Sequence, residues 1–313
     1  MLSFLNGILH KKAQKNDHHS DISEPSQKDI RVPDESVVSD TKQSVIQPFT
    51  VKSHLETPQI IVGIAQSSGL QRDSNEDSLF TLTTNIISKN KTLVFGLYAV
   101  ADGMGGHDFG ELASSLAIEK FSTDVINAFY LPVLSSTDDP LDISIQEVLQ
   151  SSVVHAHRMI KESLAGSGTT LTAALILGEQ LTIAHVGDSR AYTINSDGEM
   201  HLLTHDHSLV KRLEEIGQLS PEEAEKHPKR NLLYRALGQG DPIEPEINNY
   251  QVHKGVNLLI CSDGLWGVVP DNDIKNIILS SSDPEIACQS LVHTANAAGG
   301  PDNISVILVH IPL

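Results

Sequence analysis

Short, continuous apolar runs punctuated by Gly, Asp and Asn dominate residues 60 to 310 of this chain. Ile60 to Ala65, Ser78 to Thr83, Leu93 to Ala101, Leu171 to Leu177, Leu181 to Val186, Ala191 to Ile194, Val256 to Cys261 and Ile304 to His310 each read as a strand. Several are one turn apart, which predicts antiparallel pairing. Asp108 to Phe129 and Ile143 to Leu164 read as long helices, the first opening with Asp108 and Glu111 at capping-box spacing; Asp271 to Leu279 and Pro284 to Ala297 read as shorter ones. Such a mixture predicts an α+β fold, in which helices cover antiparallel sheets.

The pattern changes at about residue 56. Residues 10 to 56 are rich in Lys, Asp, Ser, Gln and His and show no sustained period, so 1–56 is expected to be a disordered polar extension and 57–313 the folded unit. Within the extension Leu2, Leu5, Ile8 and Leu9 share one helical face, a piece too short to hold a helix in water by itself. No stretch is long and apolar enough to span a bilayer. The start, MLSFLNGILHKK, places its lysines after the apolar residues, the reverse of a secretory signal.

Composition narrows the classes. Of 313 residues, 39% are hydrophobic, enough for a sizeable core, and two cysteines, Cys261 and Cys288, cannot make a disulfide framework. Their scarcity fits the cytoplasm, and Cys261, at the end of an apolar run, reads as a small buried hydrophobe. A formal net charge of −18 leaves no basic field for nucleic acid, so none is expected as a partner. The chain is expected to be a monomer.

Asp102, Asp188, Asp263 and Asp302 each abut an apolar run, in YAVADGMGG, AHVGDSR, LLICSDGLW and GGPDNISVI. Carboxylates on strand ends face a common rim from rigid supports, and half-buried charges must be paired or bound to metal. Together they predict an oxygen-rich site for hard divalent cations. Asp197-Gly198 is an internal control, lying between two short strand patterns and reading as a plain turn. Arg72 precedes the acidic pair Glu76-Asp77; an arginine fork beside metal carboxylates suits an anionic substrate, although for Arg72 taken alone a surface ion pair is the simpler reading.

The ordered series Arg72-x-x-Asn75-Glu76-Asp77, Asp102-Gly103-Met104-Gly105-Gly106-His107, Gly168-Thr169-Thr170, Gly187-Asp188-Ser189-Arg190, Ser262-Asp263-Gly264-Leu265-Trp266 and Asp302-Asn303 resembles the bacterial branch of the metal-dependent PPM family, the 2C-type serine/threonine protein phosphatases. The resemblance runs from about residue 59 to 312. It implies a four-layer α-β-β-α sandwich with two central antiparallel sheets, and two or three Mn²⁺ or Mg²⁺ ions. By the same resemblance Asp102 bridges two metals and the Gly103 carbonyl contributes to one. Asp263 and Asp302 complete the pair, Glu76 and Asp77 lie near the second metal, and Asp188 with Asp263 serves a third. Arg72 would hold the phosphate while a water activated by the metal pair attacks phosphorus, with no protein nucleophile. The implied partners are phosphorylated proteins, including a cognate serine/threonine kinase and its substrates.

One departure stands out: where eukaryotic relatives place a histidine as general acid, this chain has Met104, which has no proton to give. His107 is the nearest substitute, although helix entry explains a polar residue there too. Thr204-His205-Asp206-His207-Ser208 resembles the start of the family's flap. Helix entry at Asp206 is the simpler reading of that stretch and a zinc site the sharper one. Trp266 reads as core packing under the metal loop.

Overall fold

A computed structural model describes residues 59–88, 91–105, 109–135 and 143–311. The polar extension 1–56, the apolar face within residues 2–9, the capping position Asp108 and the candidate acid His107 lie outside the described residues.

The strands are β1 (Ile61–Ser67), β2 (Asp77–Ser88), β3 (Lys91–Met104), β4 (Gly168–Thr169), β5 (Leu171–Leu177), β6 (Gln180–Val186), β7 (Arg190–Ile194), β8 (Met200–Leu202), β9 (Glu246–Gln251), β10 (Asn257–Cys261) and β11 (Ile304–His310). One sheet has the order β1-β11-β10-β7-β8, the other β2-β3-β5-β6-β9 with β4 paired to the end of β3, and every pairing is antiparallel. The helices are α1 (Phe109–Val125), α2 (Leu131–Ser135), α3 (Ile145–Ser163), α4 (Leu209–Glu215), α5 (Pro221–Glu225), α6 (Asp263–Trp266), α7 (Asp271–Ser280) and α8 (Pro284–Ala297), with a π-helical turn at Ile126–Tyr130 joining α1 to α2.

Three apolar layers hold these elements. Phe95, Leu97, Ala99 and Ala101 on one face of β3 pack with Phe121, Leu149, Val153 and Ile160 of α1 and α3. Tyr98 and Val100, on the opposite face, pack with Leu258, Ile260, Ile307 and Val309 of the facing sheet. Leu259, Cys261, Val306 and Leu308 meet α7 and α8 through Ile274, Ala287 and Leu291. The fold is therefore a helix, sheet, sheet, helix sandwich. Because both faces of the central strands are covered, their sequences read as unbroken apolar runs and not as alternation.

One local expectation is met and two are adjusted. Asp197-Gly198 is a turn, between β7 and β8, with Gly198 at φ 90°. Helix entry after the histidine-rich segment is capped by Ser208, whose Oγ accepts from the Lys211 N–H, and not by Asp206. The capping choice follows from Asp206 being engaged elsewhere, in an ion pair with Arg190. Strand β9 was not expected, since Glu246-Ile247-Asn248-Asn249-Tyr250-Gln251 is mostly polar; it lies at the edge of its sheet, paired on one side to β6.

Candidate active site

Antiparallel register brings the acids together. Asp77 opens β2 directly opposite Asp102 near the end of β3; Asp263 follows β10, Asp302 precedes β11 and Asp188 ends the turn between β6 and β7. Both sheets thus deliver carboxylates to one end of the sandwich. Close approach at that end requires glycine: a Cβ on Gly103 would lie 2.2 Å from the Gly110 carbonyl oxygen and 2.5 Å from that of Glu76.

These charges repel one another. Burial, followed by the charges of Asp77, Asp263, Asp188 and Asp302, pushes the Asp102 carboxyl well above the usual range. Asp188 is likewise raised by burial and then by Asp263, Asp77 is pushed up to about 7 and Asp263 to about 6, each chiefly by burial. Asp77 Oδ2 accepts a hydrogen bond from Ser262 Oγ at 2.8 Å, whereas Asp77 Oδ1 and Asp263 Oδ1 are buried without a hydrogen-bond partner. Orphaned carboxylate oxygens in a like-charged ring are the donor set that a hard divalent cation takes, and the absence of Cys or His among them disfavours zinc. Among the described residues no group of three or more His, Cys, Asp or Glu is placed so that it could hold a metal ion by itself.

Arg72 sits in the loop between β1 and β2, where Nη2 donates to Asp302 Oδ2 at 2.7 Å with 49% of the side chain exposed. The surface ion-pair expectation is met, with a partner that belongs to the acid ring, and half of the Arg72 side chain stays exposed. Glu76 is fixed by its backbone: its carbonyl accepts from Gly103 N–H and Ser114 Oγ, and its carboxylate rests against Gly110 at the start of α1.

Several residues that hold the ring had no role assigned from sequence. Asn303 Oδ1 accepts from the Glu76 N–H at 2.8 Å, while its Nδ2 donates to the carbonyls of Ser68 and Ser74, so one amide ties down the Arg72 loop. Thr170 Oγ1 accepts from the Asp102 N–H, and Thr169 Oγ1 donates to the Asp102 carbonyl. Their only sequence signal was membership of the motifs. Trp266 is more than core packing: its indole N–H donates to the Asp188 carbonyl at 3.0 Å, and the Arg190 guanidinium lies 3.5 Å over its ring. Asp206 engages the same guanidinium through both carboxylate oxygens.

The histidines do not converge as zinc ligands. His207 Nδ1 accepts from the Gly187 N–H and its Nε2 lies 3.2 Å from Arg235 Nη1, while buried His185 bonds Thr172 and the His205 carbonyl. Burial lowers both pKa values, to about 3 and about 4 respectively, so these are neutral packing groups. Cys261 is buried and free, with its thiol pKa pushed up by burial, as expected of a small hydrophobe.

With this geometry in place, comparison with known proteins is decisive. A family model described as protein phosphatase 2C matches residues 71–296. The chain belongs to the protein phosphatase 2C family. The serine/threonine phosphatase stp of Listeria innocua is 39% identical over 210 residues, covering 67% of this chain and 82% of that protein. The protein phosphatase PhpP of Streptococcus pneumoniae is 34% identical over 255 residues, covering 79% of this chain and 96% of its own. The crystal structure of the Mycobacterium tuberculosis serine/threonine phosphatase PstP/Ppp superposes with a TM-score of 0.67 at 32% identity, covering 82% of this chain and all of that one. A structure of the PstP catalytic domain with two manganese ions gives 0.66 at 31% identity. As a member of the family the chain is a protein phosphatase, and its two-sheet sandwich is the family's fold. Among the described residues no helix is long and apolar enough to cross a membrane.

Proposed function

We propose that this chain hydrolyses phosphoserine and phosphothreonine in proteins, with two Mn²⁺ or Mg²⁺ ions, or three, held by the aspartate ring. The observation that carries the reading is the pair of buried, unpartnered oxygens on Asp77 and Asp263 among mutually repelling carboxylates. In this reading Asp102, Asp263 and Asp302 hold the central pair with the Gly103 carbonyl, Glu76 and Asp77 support the second ion, and Asp188 with Asp263 serves a third. When bound, such a pair lowers the pKa of water and spreads the phosphoryl charge. Arg72 binds and orients the phosphate through the guanidinium N–H groups left free by Asp302, which places phosphorus for in-line attack. The reaction then needs no protein nucleophile. Trp266 and Arg190 act as positioning residues that hold the turn carrying Asp188. His107 is our candidate for the group that protonates the leaving alkoxide, a task Met104 has no proton for.

Residues 57–313 form the catalytic unit in this account. The scarce cysteines support a cytoplasmic setting, and in this reading the chain is a monomer acting on the products of a cognate serine/threonine kinase. Phosphate release from phosphothreonine peptides and from small phosphorylated metabolites, each with and without Mn²⁺, tests the assignment. We expect Mn²⁺-dependent turnover that favours the peptides. Preference for metabolites would make the chain a small-molecule phosphohydrolase, and no turnover of either a silent binding module.

A further inference from the structure

A cleft of about 900 Å³ extends from the aspartate ring to α4, α5 and the segment 226–231. That volume is near the top of the roughly 300–1,000 Å³ span of ligand pockets, far more than one phosphorylated side chain fills. Its lining carries charges of both signs. At the ring end Asp188, Asp263 and Asp302 line it. Next, Asp206 is neutralised by Arg190, and Glu214 by Lys211 at 3.3 Å. At the far end Lys226 and Arg230 line the wall, both exposed, and no ion pair found among the described residues engages either. Helix α5 presents Pro221 and Ala224 to the cleft, whereas Glu222 and Glu223 are not among its lining residues, and Glu223 is bonded to Ser220. Among the described residues Asp271 is the one acid of the cleft outside the ring and these pairs.

In a chain of net charge −18, two cations on the wall of the cleft that no ion pair among the described residues engages have a specific meaning. The whole-molecule field repels anions, so such cations act only at short range, on an anion already delivered by the rest of a bound peptide. We propose that this cleft selects phosphoprotein segments carrying a second anionic side chain near the phosphorylated residue under attack, with Lys226 and Arg230 as the specificity-determining contacts. The second anion is a phosphate or a carboxylate. Arg230 offers a planar fork suited to either, Lys226 a point charge. The inference rests on the phosphatase reading and extends it to substrate class.

Three phosphothreonine peptides, differing only in neutral flanks, Asp/Glu flanks or a second phosphothreonine, test it in the full chain with Mn²⁺. The expected kcat/KM is roughly 10-fold higher for at least one anionic peptide than for the neutral one, the difference residing in KM and shrinking at high salt. Lys226→Ala/Arg230→Ala should collapse that ratio towards one. The control Arg158→Ala/Lys254→Ala, which removes the same charge from exposed positions outside the cleft, should leave it unchanged. Which arm gains distinguishes phosphate from carboxylate recognition. Fluorescence anisotropy of the same peptides with EDTA, where no turnover occurs, reads the preference independently. Equal binding and equal KM for all three peptides, or a ratio that survives the double variant, would overturn the proposal. Absence of all turnover with a retained binding preference would instead overturn the phosphatase reading.

Discussion

Asn303 ties three backbone groups to one buried amide, accepting from Glu76 and donating to Ser68 and Ser74. Its removal leaves these groups unpaired at the base of the loop that carries Arg72. Buried hydrogen bonds of this kind are each worth about 1 kcal/mol net, and more when a partner is stranded. Asn303→Ala is therefore expected to lower unfolding free energy by roughly 2–4 kcal/mol in urea titration and to raise KM for phosphopeptide more than it lowers kcat. An unchanged KM would remove Asn303 from the substrate loop's support. His107 poses a different single-residue question. An aryl phosphate leaves as a stable phenolate, a phosphoserine as a strongly basic alkoxide, so a general acid matters mainly for the peptide. His107→Ala is expected to slow phosphopeptide hydrolysis about 10²-fold while the aryl substrate changes far less. Equal effects on both substrates would point to another proton source.

At the scale of elements, the β5–β6 pair carries a titratable group into the interior. Thr172 faces His185 in register, and His185 is fully buried. Burial lowers its pKa from 6.5 to about 4. The unfolded chain therefore takes up a proton that the folded chain refuses, and this contribution to stability is complete above pH 6.5 and lost as pH falls towards 4. The ring aspartates, raised in the metal-free protein, shift stability in the opposite direction, so the comparison must be with a variant. The stability difference between the native protein and His185→Gln should be roughly 2 kcal/mol less favourable to the native protein at pH 5 than at pH 7. A pH-independent difference would mean that His185 titrates in the fold as it does in the unfolded chain. The elements that sequence revealed were those whose cause is local. Pro284–Ala297 and Ile304–His310 match their expected bounds because Asp283 caps one and both faces of the other are covered. Polar β9 escaped because an edge strand is specified by its neighbour and not by its own residues. Ser208 was passed over as a cap because the competing role of Asp206, an ion pair with Arg190, exists only in three dimensions.

On the scale of the whole molecule, two sheets with covered faces bring to one end five aspartates spread from Asp77 to Asp302. Asp102, Asp188, Asp263 and Asp302 were legible because each abuts an apolar run, and Asp77 through the acidic pair that follows Arg72. The hydrogen bonds that Asp77, Asp102 and Asp188 make with Ser262, Thr170 and Trp266 were not, because they join segments far apart in sequence. Such an arrangement opposes folding unless cations offset the repulsion, so the ring is expected to be a site of function and not of stability. Mn²⁺ titration of phosphothreonine-peptide turnover, for the native chain and for Asp102→Asn, Asp263→Asn and Asp302→Asn, tests that claim most directly. The account predicts saturable activation of the native protein and a loss exceeding ~100-fold in each variant, because a charged ligand is deleted while its shape is kept. Near-native turnover of Asp102→Asn or Asp263→Asn at saturating Mn²⁺, or native activity indifferent to Mn²⁺ and Mg²⁺, would contradict it.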